Sequence, residues 1–125
     1  MLTKLHVILS ACKQSPLDDR NTGLLARWLS DNGFVYEHVT GSYKGVEEQS
    51  FIVQCDDFSQ VDQLVRRSRS YDQESVLLID ARQKCFLYYP ASKQLDYIGR
   101  WYKGVPESNP TDSFTIINGE YHYVI

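Results

Sequence analysis

The chain has 125 residues, of which 42% are hydrophobic and 23% are charged, and its net charge is −3. This length and composition are typical of one globular domain spanning residues 1–125, and they exclude a disordered or fibrous chain. Because the balance of charge is acidic and no long run of Lys or Arg occurs, nucleic acid is not expected as a partner.

The first third of the chain predicts a strand, a helix and a second strand. Residues 5–11, LHVILSA, form an apolar run that indicates a buried strand. A Ser-Pro pair is typical of the start of the next helix, and Gly33 is typical of its end. The alternating segment from Phe34 to about Tyr43 predicts the second strand. The expected inner face of the helix consists of Leu17, Leu24, Leu25 and Trp28.

The rest of the chain continues this alternation. Residues 48–55 predict the hairpin partner of the second strand, and a helix with a capping pair at Ser59 and Asp62 follows. Residues 75–80 and 85–89 then predict a further hairpin. The last third has weaker strand patterns and an Asn-Gly turn signal. The expected inner stripe of the second helix consists of Val61, Leu64, Val65 and Ser68.

The order of these elements predicts the fold class. Strand, helix, strand, strand, helix and strand indicate an α+β fold, a ferredoxin-like antiparallel sheet with two helices on one face plus C-terminal β additions. Residues 5–11, 75–80 and 85–89 are apolar on both faces, but two helices cover only one face of a sheet. We therefore expect the C-terminal strands to cover part of the second face and self-association to cover the rest.

Polar side chains near the strand ends are candidate site residues. Asn21 has helical spacing from Leu17 and Leu25, so its amide should lie on the buried face of the helix and needs partners. Two interpretations stay open for it. The amide forms a hydrogen bond to a neighbouring loop, or it contacts a ligand beside Ser10 and Ala11 at the end of the first strand.

Four further residues lie at or near the ends of other strands. Glu48 opens an apolar strand, either as a carboxylate in water or as a functional group, and its neighbour Glu47 is expected in solvent. Gln73 stands just before a strand, where a polar residue usually caps a loop. Tyr43 is typical of a packing residue with a solvated hydroxyl.

Other side-chain chemistry is scarce in the sequence. No nucleophile motif and no phosphate-binding glycine loop occurs. The three histidines have no Ser, Cys or acidic partner at a recognisable spacing, so we interpret them as structural. They are His6, His38 and His122.

Cysteine usage and hydropathy predict the location of the protein. Cys12, Cys55 and Cys85 form no CxxC or Cys/His cluster, so we expect reduced, mostly buried thiols and no metal. No stretch approaches the roughly 20 apolar residues that span a membrane, and the first apolar run is too short for a signal peptide. We therefore expect a cytoplasmic protein without a membrane partner.

The same polar positions belong to an ordered set of motifs. VILSACKQSPLDDRN has Ser10 and Ala11 at a strand end and Asn21 eleven residues after the serine. TGSYKGVEEQSFIVQC combines Tyr43 with an adjacent pair of glutamates, QESVLLI begins with Gln73, and GVP and FTI follow near the C-terminus. Together these motifs resemble the small phage-encoded enzymes that degrade S-adenosylmethionine, long called hydrolases and later reinterpreted as lyases.

The resemblance implies an activity. Such enzymes cleave S-adenosylmethionine to methylthioadenosine and homoserine lactone when the substrate's own carboxylate attacks its γ-carbon, and they counteract host restriction and methylation. This chemistry implies no cofactor. In the older hydrolase interpretation, the essential carboxylate activates a water molecule and the product is homoserine. The sequence does not separate these two roles.

The resemblance also implies site residues and an assembly. Glu48 corresponds to the essential carboxylate, and Tyr43 corresponds to a hydroxyl beside the substrate. Such enzymes form homotrimers of ferredoxin-like subunits, similar to the signalling proteins called PII, with active sites between neighbouring subunits. The implied substrate-binding residues are Asn21, Gln73, Ser10, Ala11 and Glu47.

A second class of function fits the same residues. A PII-like trimer that binds an adenine-containing ligand, or blocks a host enzyme, would need no catalysis, because fold does not decide function. A carboxylate at the end of a strand would repel adenine nucleotides, which are anionic. Glu48 therefore favours the enzyme over the nucleotide-binding module.

Overall fold

The computed structural model describes residues 4–43, 46–104 and 114–125, with the side chain of Tyr43 excepted. Eight strands and two helices occur in these ranges. In chain order they are β1 (Leu5–Leu9), α1 (Asp18–Asp31), β2 (Val35–Tyr43), β3 (Val46–Cys55), α2 (Phe58–Arg69), β4 (Val76–Ile79), β5 (Lys84–Tyr89), β6 (Gln94–Lys103), β7 (Phe114–Ile117) and β8 (Glu120–Val124).

The strands close into an antiparallel barrel in the order β1–β3–β2–β7–β8–β6–β5–β4, and β4 pairs back with β1. The expected order of elements from β1 to β4 is correct. The expected ferredoxin-like sheet of the PII type is wrong, because β7 pairs with β2 and β8 pairs with β6. The C-terminal strands therefore complete a closed barrel instead of adding to an open sheet.

Each face of β1 is buried in a different core. Val7 and Leu9 face the two helices and pack in one cluster with Leu25 of α1 and Leu64 of α2. Ile8 faces the interior of the barrel. Both faces of β1 are thus covered within one chain, so its apolar pattern does not require a second subunit. The interior core consists of Ile8, Val39, Ile52, Ile79, Cys85 and Trp101.

The helices differ in part from the sequence-based expectation. Leu25 is buried as predicted, but Leu17 and Leu24 are 52% and 44% exposed, so half of the predicted inner face of α1 is wrong. The predicted stripe of α2 is confirmed. The N-cap of α2 is Asp57, whose carboxylate accepts from the Gln60 N–H over 3.0 Å, rather than the predicted Ser-Asp pair. Within the described ranges, neither helix is long and apolar enough to cross a membrane.

The end of the chain completes the barrel. Asn118 and Gly119 have φ angles of 52° and 79°, the left-handed conformation that a tight hairpin turn needs, so the predicted turn is confirmed. The main chains of Arg100 and Ile125 exchange two hydrogen bonds of 2.9 and 3.1 Å. Gly99 has a φ of 136°, and a Cβ there would lie 2.6 Å from the Ile125 carbonyl oxygen. Closure at this point therefore requires glycine.

The cysteines agree with the sequence-based expectation. Cys12, Cys55 and Cys85 are free and buried. Burial raises the pKa of Cys55 and of Cys85 to about 12, so both side chains stay protonated thiols near neutral pH.

Candidate active site

The end of β1 meets the start of β3 at one mouth of the barrel. Ser10 follows β1, and its Oγ lies 3.2 Å from Glu48 Oε2 and 2.9 Å from the Gln49 carbonyl oxygen. The Cys12 N–H donates to the same Oγ over 3.0 Å. Because a hydroxyl has one proton, Ser10 donates to one of the two oxygens at a time while it accepts from Cys12. These contacts fix the position of the Ser10 hydroxyl next to the Glu48 carboxylate.

Glu48 and Glu47 point to opposite faces of β3. The pairing of β2 with β3 is continuous and places Gly41 opposite Glu48 and Ser42 opposite Glu47. Glu48 shares its face with Ile52, which lies in the barrel interior, and is half-buried, whereas Glu47 is exposed. Of these two carboxylates, only Glu48 can face the mouth of the barrel.

Two cavities open at this mouth. The Glu48 cleft has a volume of about 160 Å³, and four of its lining residues are Gly41, Val46, Glu48 and Ser50. The barrel-mouth pocket has a volume of about 450 Å³, and its apolar and aromatic lining includes Leu77, Leu87, Ile98, Trp101, His122, Tyr123 and Val124. The residues that line both cavities are Ser42, Phe114 and Thr115. A carboxylate thus lies beside an apolar pocket of the size that small organic ligands occupy.

A hydrogen bond joins the loop after β1 to the loop before β4. The Gln73 Nε2 donates to the Cys12 carbonyl oxygen over 2.7 Å, so Gln73 lies close to the Ser10 segment. Ala11 is 1% exposed and packs in the core under the helices. The Ala11 side chain therefore does not reach the mouth of the barrel.

The structure does not bring Asn21 to Glu48. Asn21 is half-buried on α1. The same helix approaches β3 at Asp19, whose carboxylate accepts from the Gln49 Nε2 over 3.1 Å. Because Gln49 and Glu48 are consecutive in a strand, they point to opposite faces, and α1 lies across the strand from Glu48. The main chain of Tyr43 ends β2, and its side chain lies outside the described part of the structure.

Two residues of the barrel-mouth pocket were missed by sequence analysis. The rings of Trp101 and His122 stack with centroids 5.3 Å apart and planes 16° apart. The pairing of Trp101 with Val124 and of Lys103 with His122 brings the two rings onto the same face. No local signal marks this stack, because it forms between strands that are distant in sequence.

The other histidines have contacts that agree with a structural role. The Nδ1 of His6 lies 2.8 Å from the Lys4 carbonyl oxygen, and the Nε2 of His38 lies 3.2 Å from Gln49 Oε1. In the part of the chain that the structure describes, no group of three or more His, Cys, Asp or Glu side chains could hold a metal ion.

His122 should make stability depend on pH. Burial lowers the pKa of His122 below 6.5, and nearby Lys103 adds to this effect, whereas Glu120 opposes it. A histidine whose folded-state pKa is lowered stabilises the fold above its unfolded-state pKa, and this stability is lost as the pH falls through the folded-state value. We therefore expect a decrease in Tm from about pH 7 to about pH 5 that is weaker in His122→Phe, which stacks but does not titrate. Equal pH slopes of Tm in the two proteins would contradict this assignment.

The comparison with protein families agrees with the motif resemblance. A family model described as the S-adenosylmethionine lyase family matches residues 7–125. A comparison with curated proteins gave no match. The matched range begins within β1 and contains Ser10, Glu48 and the lining of both cavities. Because the match spans nearly the whole chain, this chain belongs to the S-adenosylmethionine lyase family and is an enzyme that acts on S-adenosylmethionine.

Proposed function

We propose that the enzyme cleaves S-adenosylmethionine to methylthioadenosine and homoserine lactone. A carboxylate oxygen of the substrate attacks its γ-carbon, the new C–O bond closes the lactone, and the C–S bond breaks with its electron pair left on sulfur. Because the substrate supplies both nucleophile and leaving group, the protein has to supply geometry rather than a nucleophile. The observation that carries the proposal is Glu48, a half-buried carboxylate beside an apolar pocket.

An apolar site suits a reaction in which charge disappears. The sulfonium and the attacking carboxylate are charged before the step, and the thioether and lactone that they become are neutral. Water stabilises the separated charges of the ground state, so removal of water from the reacting groups lowers the barrier. The apolar lining of the barrel-mouth pocket would provide such surroundings at the border that this pocket shares with the Glu48 cleft.

We assign Glu48 to the ammonium group of the substrate. The charge of that group does not change in the reaction, so a contact with it orients the methionine tail without stabilising the sulfonium that must be lost. The Ser10 hydroxyl, 3.2 Å from Glu48 Oε2, would hold the carboxylate in place. Ser10 is then a positioning residue rather than a substrate contact.

The remaining roles follow the family resemblance. Tyr43 is proposed as a hydroxyl beside the substrate, and Gln73 is proposed as a binding group. We leave three residues out of the site, because the Ala11 side chain is buried under the helices, Glu47 is exposed on the opposite face of β3, and Asn21 lies on α1, across β3 from Glu48.

The path of oxygen distinguishes a lyase from a hydrolase. We expect that cleavage in water enriched in the heavy isotope of oxygen yields homoserine lactone without label, because the γ-oxygen comes from the substrate's carboxylate. Later opening of the lactone at its carbonyl carbon labels only the carboxyl group, as incubation of authentic lactone will show. Mass spectrometry that finds label at the γ-hydroxyl of homoserine would mean that water attacks the γ-carbon directly, and the lyase proposal would fail.

We propose a homotrimer with active sites between subunits. Because the sheet closes into a barrel, its second face does not require a partner subunit. The trimer proposal therefore depends on the family resemblance and on exposed apolar residues at the barrel mouth. Val46 and Ile98 line the two cavities and are each 39% exposed, which leaves apolar surface there for a neighbouring subunit.

Light scattering measures this assembly. We expect a mass about three times the 14.5 kDa of one chain at micromolar concentration. A mass near that of one chain, in a preparation that cleaves S-adenosylmethionine, would exclude a site that needs two subunits.

The proposed cellular role is to lower the S-adenosylmethionine available for host restriction and methylation during phage infection. We place the enzyme in the host cytoplasm, in agreement with three free cysteines.

A further inference from the structure

The two cavities at the barrel mouth differ in charge. The Glu48 cleft is lined in part by the carboxylate of Glu48. The barrel-mouth pocket is lined by aliphatic, aromatic and hydroxyl side chains together with His122, and none of its described lining residues is an Asp, Glu, Lys or Arg. Burial lowers the pKa of His122, so its imidazole is neutral near pH 7.

S-adenosylmethionine has two ends that match this difference. Its adenine ring is flat, aromatic and uncharged, whereas its methionine tail has an ammonium group and a carboxylate. Burial of an unpaired charge is costly, so the tail is disfavoured in an apolar pocket. Aromatic rings pack well against one another, so the adenine is favoured beside aromatic side chains.

From this match, we infer that the barrel-mouth pocket binds the adenosyl group, with the adenine ring beside the Trp101–His122 stack and the methionine tail in the Glu48 cleft. The inference rests on the proposed function, because it assumes that Glu48 binds the tail. Ser42, Phe114 and Thr115 line both cavities, so one molecule can extend across them. The pocket volume of about 450 Å³ lies within the usual range of small-ligand sites.

This placement has a consequence for the products. Methylthioadenosine keeps the adenosyl group and has no charge, so it should bind the pocket without help from Glu48. Homoserine lactone lacks the adenosyl group and should not compete with it. Inhibition by methylthioadenosine should therefore be the same in the wild type and in Glu48→Gln.

Trp101 reports on ligands that bind against its ring, either in the barrel-mouth pocket or in a second cavity that it also lines, and the pocket-filling variants below distinguish the two. The chain has two tryptophans, and Trp28 packs against Phe34 on the side of the helices. In Trp28→Phe, the remaining tryptophan fluorescence, excited selectively over tyrosine, comes from Trp101, which is 7% exposed and lines the pocket. We expect methylthioadenosine to change this fluorescence in a saturable way and homoserine lactone to leave it unchanged.

Substitutions that fill the pocket give a second readout. Leu87→Phe and Ile98→Phe add volume to the lining, and we expect each to weaken methylthioadenosine binding by about tenfold or more and to raise KM for S-adenosylmethionine. The matched control is Leu95→Phe, because Leu95 is 44% exposed and outside the described lining of the pocket. Circular dichroism identifies a variant that fails to fold. If one of the two variants does so, methylthioadenosine binding by the other one tests the inference.

The outcomes separate the inference from the proposed function. If Trp101 does not respond to methylthioadenosine while the enzyme cleaves S-adenosylmethionine, the adenosyl group binds elsewhere and the inference is wrong. If methylthioadenosine binds as expected but no substrate is cleaved, the pocket assignment stands and the proposed reaction fails. If Leu87→Phe and Ile98→Phe both fold and bind like the Leu95→Phe control, the inference is overturned.

Discussion

Glu48→Gln should decrease turnover of S-adenosylmethionine by on the order of a hundredfold or more, the scale on which positioned catalytic groups act. Glutamine keeps the shape of the side chain, and its amide oxygen can still accept from the Ser10 hydroxyl, which lies 3.2 Å from the native carboxylate. What is lost is the negative charge that orients the ammonium group of the substrate. The free energy of unfolding should change by less than about 0.5 kcal/mol. Steady-state release of methylthioadenosine and urea unfolding measure the two effects.

Glu47→Gln is the matched control for this prediction. It removes the same charge one residue earlier, from an exposed side chain on the opposite face of β3. We expect Glu47→Gln to keep most of the activity. If Glu47→Gln lost activity and Glu48→Gln kept it, the face of β3 that forms the site would be assigned wrongly.

Gly99→Ala should decrease the free energy of unfolding by at least about 2 kcal/mol, since it combines a clash with a strained backbone conformation. The φ of 136° is one that residues with a Cβ rarely adopt, and the new Cβ would lie 2.6 Å from the Ile125 carbonyl oxygen. That oxygen accepts from the Arg100 N–H, so relief of the clash would disturb the closing contact of the barrel. The midpoint of urea unfolding measures the loss.

Gly23→Ala makes the same chemical change with the opposite expected sign. Gly23 lies in α1, is exposed, and has no atom within 4 Å of the position of a new Cβ. Alanine favours a helix over glycine, so Gly23→Ala should increase stability by about 0.5–1 kcal/mol. If Gly99→Ala unfolded at the same urea concentration as the wild type, the close approach of Ile125 to Gly99 would not exist in solution.

Local patterns were enough to predict much of the chain. The order of elements from β1 to β4, the inner stripe of α2 and the turn at Asn118 and Gly119 agree with the structure. The expectation that Glu47 lies in solvent also agrees with the structure, in which Glu47 is exposed. These features depend on neighbours within a few residues, which the sequence displays directly.

Local sequence patterns do not predict that the barrel closes. It depends on the pairing of β2 with β7 and of β6 with β8, between segments distant in sequence. The sequence-based expectation divides the apolar second face of the sheet between the C-terminal strands and another subunit, but this face of β1 packs against Trp101 and its neighbours inside the barrel. The barrel-mouth pocket was missed for the same reason, because Trp101 and His122 come together only when β6 and β8 pair.

The most direct test of the account is the fate of S-adenosylmethionine incubated with the purified chain in the presence of EDTA. Because the proposed reaction uses the substrate's own carboxylate and no cofactor, chromatography should show methylthioadenosine formed in proportion to the substrate consumed, at an undiminished rate. Unchanged substrate in the presence of folded protein would contradict the proposed reaction. Activity that EDTA abolishes and zinc or magnesium restores would contradict the assignment of the chemistry to the substrate and Glu48 alone.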